Sequence, residues 1–255
     1  MEGARGVGID IGSTATKAIV MDAEGGITQR ILIPTGYSSI DAARRAKEEL
    51  LERGIDVDDP ACSVVATGYG RIAVPYAVRC VTEITCHGKG ASWLFGKDGT
   101  VIDVGGQDTK VISLRGGRVV KFAMNDKCAA GTGRFLEVMA DRLGVSQEEL
   151  SALAARGGNT SISSMCTVFA ESEVISLVGQ GEPRENIAFA IIESVVGRVA
   201  ALAGQSVGAP FFLTGGLCDN GYVVERLGKA IGNPVETCTD ARYAGAIGAA
   251  LLATC

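Results

Sequence analysis

The sequence predicts the α/β fold class on three grounds. These are a glycine-rich composition, a doubled strand–turn–strand segment, and a late strand that runs into a glycine pair. Of 255 residues, 47% are hydrophobic, 35 are glycine, six are proline and 5% are aromatic. Such a composition is common in α/β proteins with tight backbone turns. The length fits one large domain or two modest ones.

The doubled segment reads IDIGSTATKAI at residues 9–19 and IDVGGQDTKVI at residues 102–112. In both copies an Asp between apolar residues is followed by a glycine turn and then by Thr-Lys, and the Asp-to-Lys spacing is the same. Each copy then continues through alternating apolar residues into a second glycine turn. We therefore expect one strand–turn–strand unit to open each half of the molecule.

Both turns are suited to phosphate. Small residues let N–H groups and hydroxyls approach anionic oxygens closely. An Asp at the strand end can hold hydrated Mg²⁺ near those oxygens, and a Lys can add compensating charge. Two unrelated β-hairpins are the alternative, but the shared register favours a nucleotide site. Its predicted residues are Asp10, Gly12, Ser13, Thr14 and Lys17 in the first copy, and Asp103, Gly105, Gly106, Gln107, Asp108 and Lys110 in the second.

Two helices are predicted between these motifs. Residues 38–54 combine a serine cap, an amphipathic repeat with mixed charges and a glycine stop, which is typical of a solvated helix. Residues 187–204 are apolar but interrupted by Glu193 and Arg198, which favours a buried or amphipathic helix over a membrane span. A net charge of −5 without a Lys/Arg cluster argues against nucleic-acid binding. We expect a cytoplasmic protein with neither nucleic acid nor membrane as a partner.

A third glycine signal lies in FFLTGGLCDN, residues 211–220, where an apolar strand runs into Gly215 and Gly216. In a two-lobed fold this turn would pass under the nucleoside. The run at 241–253 is predicted to be a closing helix whose small residues Ala244 and Gly245 approach the base.

These three segments, in this order, resemble the actin, sugar-kinase and heat-shock-chaperone ATPase superfamily. The resemblance implies two ribonuclease-H-like lobes with ATP in the cleft between them. The first lobe would span residues 1–97 and the second 98–240. The last helix, about 241–255, would pack back on the first lobe.

Two cysteines stand apart from the other six. Cys128 lies in NDKCAAGTGRFLE, ahead of Gly131-Thr132-Gly133, which looks like a phosphate-binding turn that opens a helix; Cys166 opens CTVFAESEVISL. Both are predicted at or just before helix N-termini, where N–H groups and the helix dipole stabilise a thiolate. Three interpretations remain open: capping or buried thiols, a redox-sensing pair, or iron–sulfur ligands. Because a cluster normally needs four thiolates, the last would require a two-fold symmetric dimer.

The resemblance becomes closer when seven motifs are taken together. They are GIDIGSTATK, ATGYGR, CHGKGA, VIDVGGQDTK, NDKCAAGTGRFLE, CTVFAESEVISL and TGG. Over nearly the whole chain they resemble the activator ATPases of 2-hydroxyacyl-CoA dehydratases. That family also holds ATPase subunits of benzoyl-CoA reductase and the reductase of the double-cubane cluster protein.

The resemblance implies a homodimer that hydrolyses ATP to ADP and couples this to low-potential one-electron transfer. Cys128 and Cys166 of both subunits would hold one [4Fe–4S] cluster, Asp10 and Asp103 would organise Mg²⁺ through water, and Gln107 or Asp108 would orient the attacking water. The acceptor would be an iron–sulfur dehydratase or a double-cubane cluster protein, and the donor ferredoxin or flavodoxin.

Two other functions remain open, a small-molecule kinase with Asp108 as base and a non-catalytic redox sensor. Cys62, Cys86 and His87 are interpreted as packing residues, and Glu171 and Glu173 as capping residues. No role is predicted for Cys80, Cys218, Cys238 and Cys255.

Overall fold

The computed structural model describes residues 5–164 and 166–254, and the chain divides into two compact units. The first unit runs to Asp98 and also contains Leu114–Val120 and the chain from Asp240 onward. The second contains Gly99–Ser113 and Lys121–Thr239. Residues 114–120, which the sequence prediction put in the second lobe, thus group with the first unit.

The first unit is built on a five-stranded sheet with the order β3-β2-β1-β4-β5. The strands β1 and β2 are antiparallel, as are β2 and β3, whereas β4 runs parallel to both β1 and β5. Their bounds are β1 Arg5–Ile11, β2 Ala15–Met21, β3 Ile27–Pro34, β4 Cys62–Thr67 and β5 Arg79–Cys80.

Helices α1, α2 and α8 cover this sheet, with bounds α1 Ser39–Glu52, α2 Glu83–Phe95 and α8 Ala244–Ala253. The predicted cap of α1 is confirmed, because the Ser38 hydroxyl accepts a hydrogen bond from the Asp41 N–H. Apolar residues of α1 and of the sheet form one core cluster, and Ile19 and Met21 pack against α8. The last helix thus completes the first unit.

Glycines let α8 approach α2 very closely. A β-carbon at Gly90 would lie 1.9 Å from the Ala244 carbonyl oxygen, and one at Gly248 would lie 1.8 Å from the Cys86 carbonyl oxygen. No side chain fits at either position unless the helices separate.

The second unit repeats the order of the first sheet. Its strands lie in the order β8-β7-β6-β9-β10, and β9 is parallel to both β6 and β10. The bounds are β6 Gly99–Val104, β7 Thr109–Arg115, β8 Arg118–Asn125, β9 Phe211–Gly215 and β10 Val235–Glu236. Strands β1-β2 and β6-β7 carry the two copies of the repeated motif, so the prediction of two strand–turn–strand units is confirmed.

Five helices complete the second unit: α3 Gly133–Leu143, α4 Gln147–Ala154, α5 Thr167–Gly179, α6 Arg184–Ala203 and α7 Gly221–Ile231. In the described chain, α6 is the one helix long and apolar enough to cross a membrane by length and composition, and half of its most apolar stretch is buried in the protein. It packs against α4 and α7. The prediction of a buried helix fits this packing, and the α/β class is confirmed.

Candidate functional site

The first glycine turn joins β1 to β2. Asp10 is buried at the end of β1 and is the direct register partner of Lys17. The turn is closed by a hydrogen bond from the Gly12 N–H to the Ala15 carbonyl (3.2 Å) and by one from the Thr35 hydroxyl to the Gly12 carbonyl (2.7 Å). These bonds fix the backbone on both sides of residues 13 and 14.

The second turn joins β6 to β7 around a buried lysine. The Lys110 ammonium lies 2.7 Å from the Asp108 carboxylate and 3.6 Å from that of Asp103. The Thr214 hydroxyl donates to Asp103 over 3.1 Å, and the Gly105 N–H donates to the Asp108 carbonyl over 2.9 Å. Lys110 thus compensates the two carboxylates of this turn.

The two units match beyond the repeated motif. Thr67 lies opposite Asp10 in the first sheet, as Thr214 lies opposite Asp103 in the second. The glycine after each threonine has a positive φ, +90° at Gly68 and +81° at Gly215. A β-carbon at either glycine would lie within 2.7 Å of an oxygen of the matching aspartate.

Sequence reasoning missed this second half of the repeat. Thr67 and Gly68 lie far along the chain from Asp10, and only the parallel pairing of β4 with β1 brings them together. The shared Thr-Gly of ATGYGR and LTGG was the available signal.

Both turns fit a phosphate chain. Five of their backbone N–H groups make no hydrogen bond within the described residues, which leaves these five available to anionic oxygens. These are the N–H groups of Ser13, Thr14, Gly106, Gln107 and Asp108.

A magnesium site has no preformed cage here. No group of three or more His, Cys, Asp or Glu side chains comes together in residues 5–164 and 166–254. Mg²⁺ usually keeps several waters and takes one or two carboxylates together with substrate phosphates. Asp10 and Asp103 fit that pattern as single carboxylates, one in each turn.

The turn at 131–133 makes its contacts inside the protein. The Gly133 and Arg134 N–H groups donate to the carbonyls of Gly105 and Gly106, both over 2.9 Å, and the Thr109 hydroxyl donates to the Gly131 carbonyl over 2.6 Å. The Thr132 hydroxyl and N–H both bond to the Ala129 carbonyl. Direct binding of phosphate would break these bonds, so the turn is a support behind the 105–107 loop.

The residues predicted to contact the nucleoside differ in their exposure to solvent. Gly216 is exposed with open space around it. Ala244 and Gly245 are buried. A β-carbon at Gly245 would lie 2.7 Å from the Asp10 carboxylate and 2.8 Å from the His87 ring, so this glycine serves packing in the first unit.

Cys128 and Cys166 are exposed and line one groove of about 480 Å³ in the second unit. Cys166 is the N-cap residue of α5, as predicted. Cys128 precedes its helix by the glycine turn, as predicted, because α3 begins at Gly133. The Asn125 amide holds that turn by donating to the carbonyls of Cys128 and Ala130.

The capping role expected for Glu171 and Glu173 is not what the structure has. The Glu173 carboxylate accepts hydrogen bonds from the N–H groups and hydroxyls of Ser163 and Ser164, in the loop before Cys166. Glu171 forms an ion pair with Arg142 of α3. Both therefore tie α5 to its surroundings, and neither caps its first turn.

The five other cysteines that the structure describes lie away from the groove. Cys62 and Cys86 are buried, as expected of packing residues, and burial raises the pKa of the Cys86 thiol to about 11. His87 is buried in α2. Cys80 is exposed, Cys218 is buried, Cys238 is half-buried and Cys255 lies outside the described residues.

Comparison with known proteins gives a consistent result. The sequence profile of the BadF/BadG/BcrA/BcrD ATPase family matches residues 7–253. The (R)-2-hydroxyglutaryl-CoA dehydratase activating ATPase of Acidaminococcus fermentans is 42% identical over 250 residues, which cover 97% of this chain and 96% of that protein.

Solved structures agree. The A. fermentans (R)-2-hydroxyglutaryl-CoA dehydratase component A has a TM-score of 0.91 at 42% identity, covering 99% of this chain and 98% of that one. The activator of the Clostridium difficile 2-hydroxyisocaproyl-CoA dehydratase, with bound ADPNP, has a TM-score of 0.90 at 37% identity, covering 98% and 94%. A glucokinase of the ROK family from Streptomyces griseus has a TM-score of 0.61 at 18% identity, over 98% and 99% of the two chains, which shows the fold alone. The predicted sugar-kinase-like fold is confirmed.

Proposed function

The chain belongs to the BadF/BadG/BcrA/BcrD ATPase family, and we propose that it is an ATP-dependent activator that delivers single electrons at low potential to a partner iron–sulfur enzyme. The observation that carries the proposal is the cysteine groove. Its two thiols lie next to a turn that is hydrogen-bonded to the 105–106 loop.

Each glycine turn offers donors for the phosphate oxygens of MgATP. The N–H groups of residues 13–14 and 106–108 hold phosphate oxygens, and Asp10 and Asp103 organise the waters of Mg²⁺. Gln107, which is exposed, orients the water that attacks the γ-phosphate. The ion pair with Lys110 fixes the carboxylate of Asp108, which is the next residue after Gln107. ADPNP in a relative at 37% identity supports nucleotide binding.

The cysteine pair fits half of an iron–sulfur site. Iron–sulfur clusters are usually held by four cysteine thiolates, and each chain offers two exposed ones on one groove. A second copy related by a two-fold axis completes the set. When bound, a [4Fe–4S] cluster supplies a one-electron redox centre.

The surface around Cys166 favours a partner copy. In the helix that Cys166 opens, the side chains of Val168 and Phe169 are both 66% exposed, and Ile175 is 57% exposed. Large apolar side chains grouped on one exposed helix mark an interaction surface. We assign it to the homodimer, because the cysteine at its start needs a symmetry mate.

Nucleotide binding and hydrolysis change the positions of the thiols through backbone hydrogen bonds. Binding or hydrolysis at residues 105–107 displaces the carbonyls that Gly133 and Arg134 hold, and so moves the start of α3 and the Cys128 turn. The electron acceptor is an iron–sulfur dehydratase or a double-cubane cluster protein, and the donor is a ferredoxin or flavodoxin. All three components are expected in the cytoplasm.

The test is anaerobic purification with iron analysis. We expect a brown, air-sensitive dimer with about four irons. Cys128→Ser and Cys166→Ser should lose iron while nucleotide binding persists, because neither thiol belongs to the glycine turns. Cys80→Ser, which changes an exposed thiol away from the groove, is the matched control and should keep full iron content. A colourless protein that phosphorylates a sugar would contradict the proposal in favour of a kinase.

A further inference from the structure

Among the described residues that line the cysteine groove, Arg198 of α6 is the one that carries a charge. The other polar lining residues, apart from the two cysteines, are neutral: Thr109, Asn125 and Gln205. An arginine stays protonated at any physiological pH. The groove therefore combines two thiols with a permanent positive charge.

Arg198 touches the loops of both cysteines. Its Nη2 donates to the Ser164 carbonyl over 3.0 Å, in the loop before Cys166. Its aliphatic stem lies against Gly131, since a β-carbon there would be 3.0 Å from the Arg198 Cβ. Its guanidinium lies 6.0 Å from the centre of the Phe135 ring of α3. One side chain thus connects the segments that carry Cys128 and Cys166.

No carboxylate of residues 5–164 and 166–254 neutralises the charge of Arg198. Within the described part of the chain no Asp or Glu oxygen lies within 4.0 Å of its guanidinium, and its Nη1 donates to the carbonyl and hydroxyl of Ser194. Arg226, on the neighbouring α7, makes two hydrogen bonds of 2.7 Å to the Glu193 carboxylate. Unlike the charge of Arg226, the positive charge of Arg198 is therefore available to an anion bound in the groove.

We propose that Arg198 is a positioning residue of the cysteine site, which fixes the two loops and stabilises the reduced form of the anionic group that the thiolates bind. The inference rests on the proposed function. Four thiolates outweigh the positive charge of an iron–sulfur core, so one electron from the donor makes the bound group more negative. A nearby cation raises its reduction potential, because net charge and hydrogen bonds set that potential.

Three variants separate charge from hydrogen bonding. Arg198→Lys keeps the charge, Arg198→Gln keeps a donor for the Ser164 carbonyl but loses the charge, and Arg198→Met loses both. The measurement is the midpoint potential of the purified iron-loaded dimer, titrated with dithionite and followed by EPR. We expect Arg198→Gln and Arg198→Met to lower the ratio of reduced to oxidised protein at fixed potential by at least about tenfold, or about 59 mV. Arg198→Lys should remain close to wild type.

The matched control is Arg156→Gln, which removes an exposed arginine of the same unit outside the groove and should leave the potential unchanged. The proposal is overturned if Arg198→Gln has the wild-type potential, or if Arg198→Lys falls as far as Arg198→Gln. If Arg198→Gln binds no iron, iron content replaces the potential as the measurement. Iron retained by Arg198→Lys then supports the role of the charge, whereas iron lost from both variants overturns the proposal. Wild-type protein without iron would instead refute the proposed function.

Discussion

At Gly248 the backbone of α8 comes so close to α2 that a single methyl group has no room. The atom it would meet is a backbone oxygen, the Cys86 carbonyl, which cannot rotate away as a side chain could. The same holds at Gly90 on the facing helix. Individual glycines therefore set the distance between two helices of the first unit.

We predict that Gly248→Ala destabilises the protein. Overpacking a tight contact costs about 1–3 kcal/mol and occasionally more, because backbones must separate. Gly197→Ala in α6 is the matched control, since nothing lies within 4 Å of a β-carbon there. That change should stabilise by roughly 0.5–1 kcal/mol, as expected for alanine over glycine in a helix. Urea denaturation measures both, and equal effects would contradict the packing argument.

Among the contacts between elements, the proposed function depends most on the one that joins the β6-β7 turn to the start of α3. Two backbone hydrogen bonds and one from the Thr109 hydroxyl form it. The backbone bonds cannot be removed by substitution, but the side-chain bond can. Thr109 is buried, so its hydroxyl serves the Gly131 carbonyl and not solvent.

We predict that Thr109→Val weakens the coupling of ATP hydrolysis to electron delivery. Loss of this hydrogen bond should lower the number of electrons transferred per ATP about fivefold, the equivalent of roughly 1 kcal/mol. Iron content and nucleotide binding should persist. Thr109→Ser keeps the hydroxyl and should couple like wild type. Phosphate release and acceptor reduction, measured in the same assay, give the ratio; an unchanged ratio in Thr109→Val would rule out this connection.

How far the sequence predicted these elements depends on the distance between interacting residues. Asp10 and Lys17 lie in one hairpin, so the local pattern of apolar residues and a glycine turn predicted the strand–turn–strand unit, whereas their direct pairing is a finding of the structure. The partnership of Asp10 with Thr67 and Gly68 depends on a parallel strand far along the chain, and no local pattern carries it. For the 131–133 turn the sequence predicts phosphate binding, because Gly-Thr-Gly before a helix is typical of a phosphate-binding turn. In the structure the Gly133 and Arg134 N–H groups donate to the carbonyls of residues 105 and 106, a tertiary contact that leaves no local sequence pattern.

At the scale of the whole molecule, the proposed active form is a dimer centred on the paired cysteine grooves. The exposed apolar side chains of α5 begin next to Cys166, so a partner copy that supplies two thiols would also cover them. A change at residues 105–107 in each copy would then reach the shared centre from both sides.

We predict that nucleotide rotates the two subunits about this centre. The reduced dimer should give different X-ray scattering curves with and without ADPNP, because the α3 start and the Cys128 turn move with the glycine loop. Cys128→Ser protein, which lacks the shared centre, provides the control for changes within one subunit. Superimposable curves for the reduced wild-type dimer would rule out the rotation.

The place of α8 in the chain bears on how the molecule is made. This helix covers β1 and α2 and completes the core around Ile19 and Met21, yet it is the last described element to leave the ribosome. During translation, segments fold as their contacts become available, beginning from the N-terminal side. The second unit, Gly99–Ser113 with Lys121–Thr239, can be complete while the first still exposes an apolar face. Closure of the first unit therefore depends on an element that is encoded after the whole of the second unit.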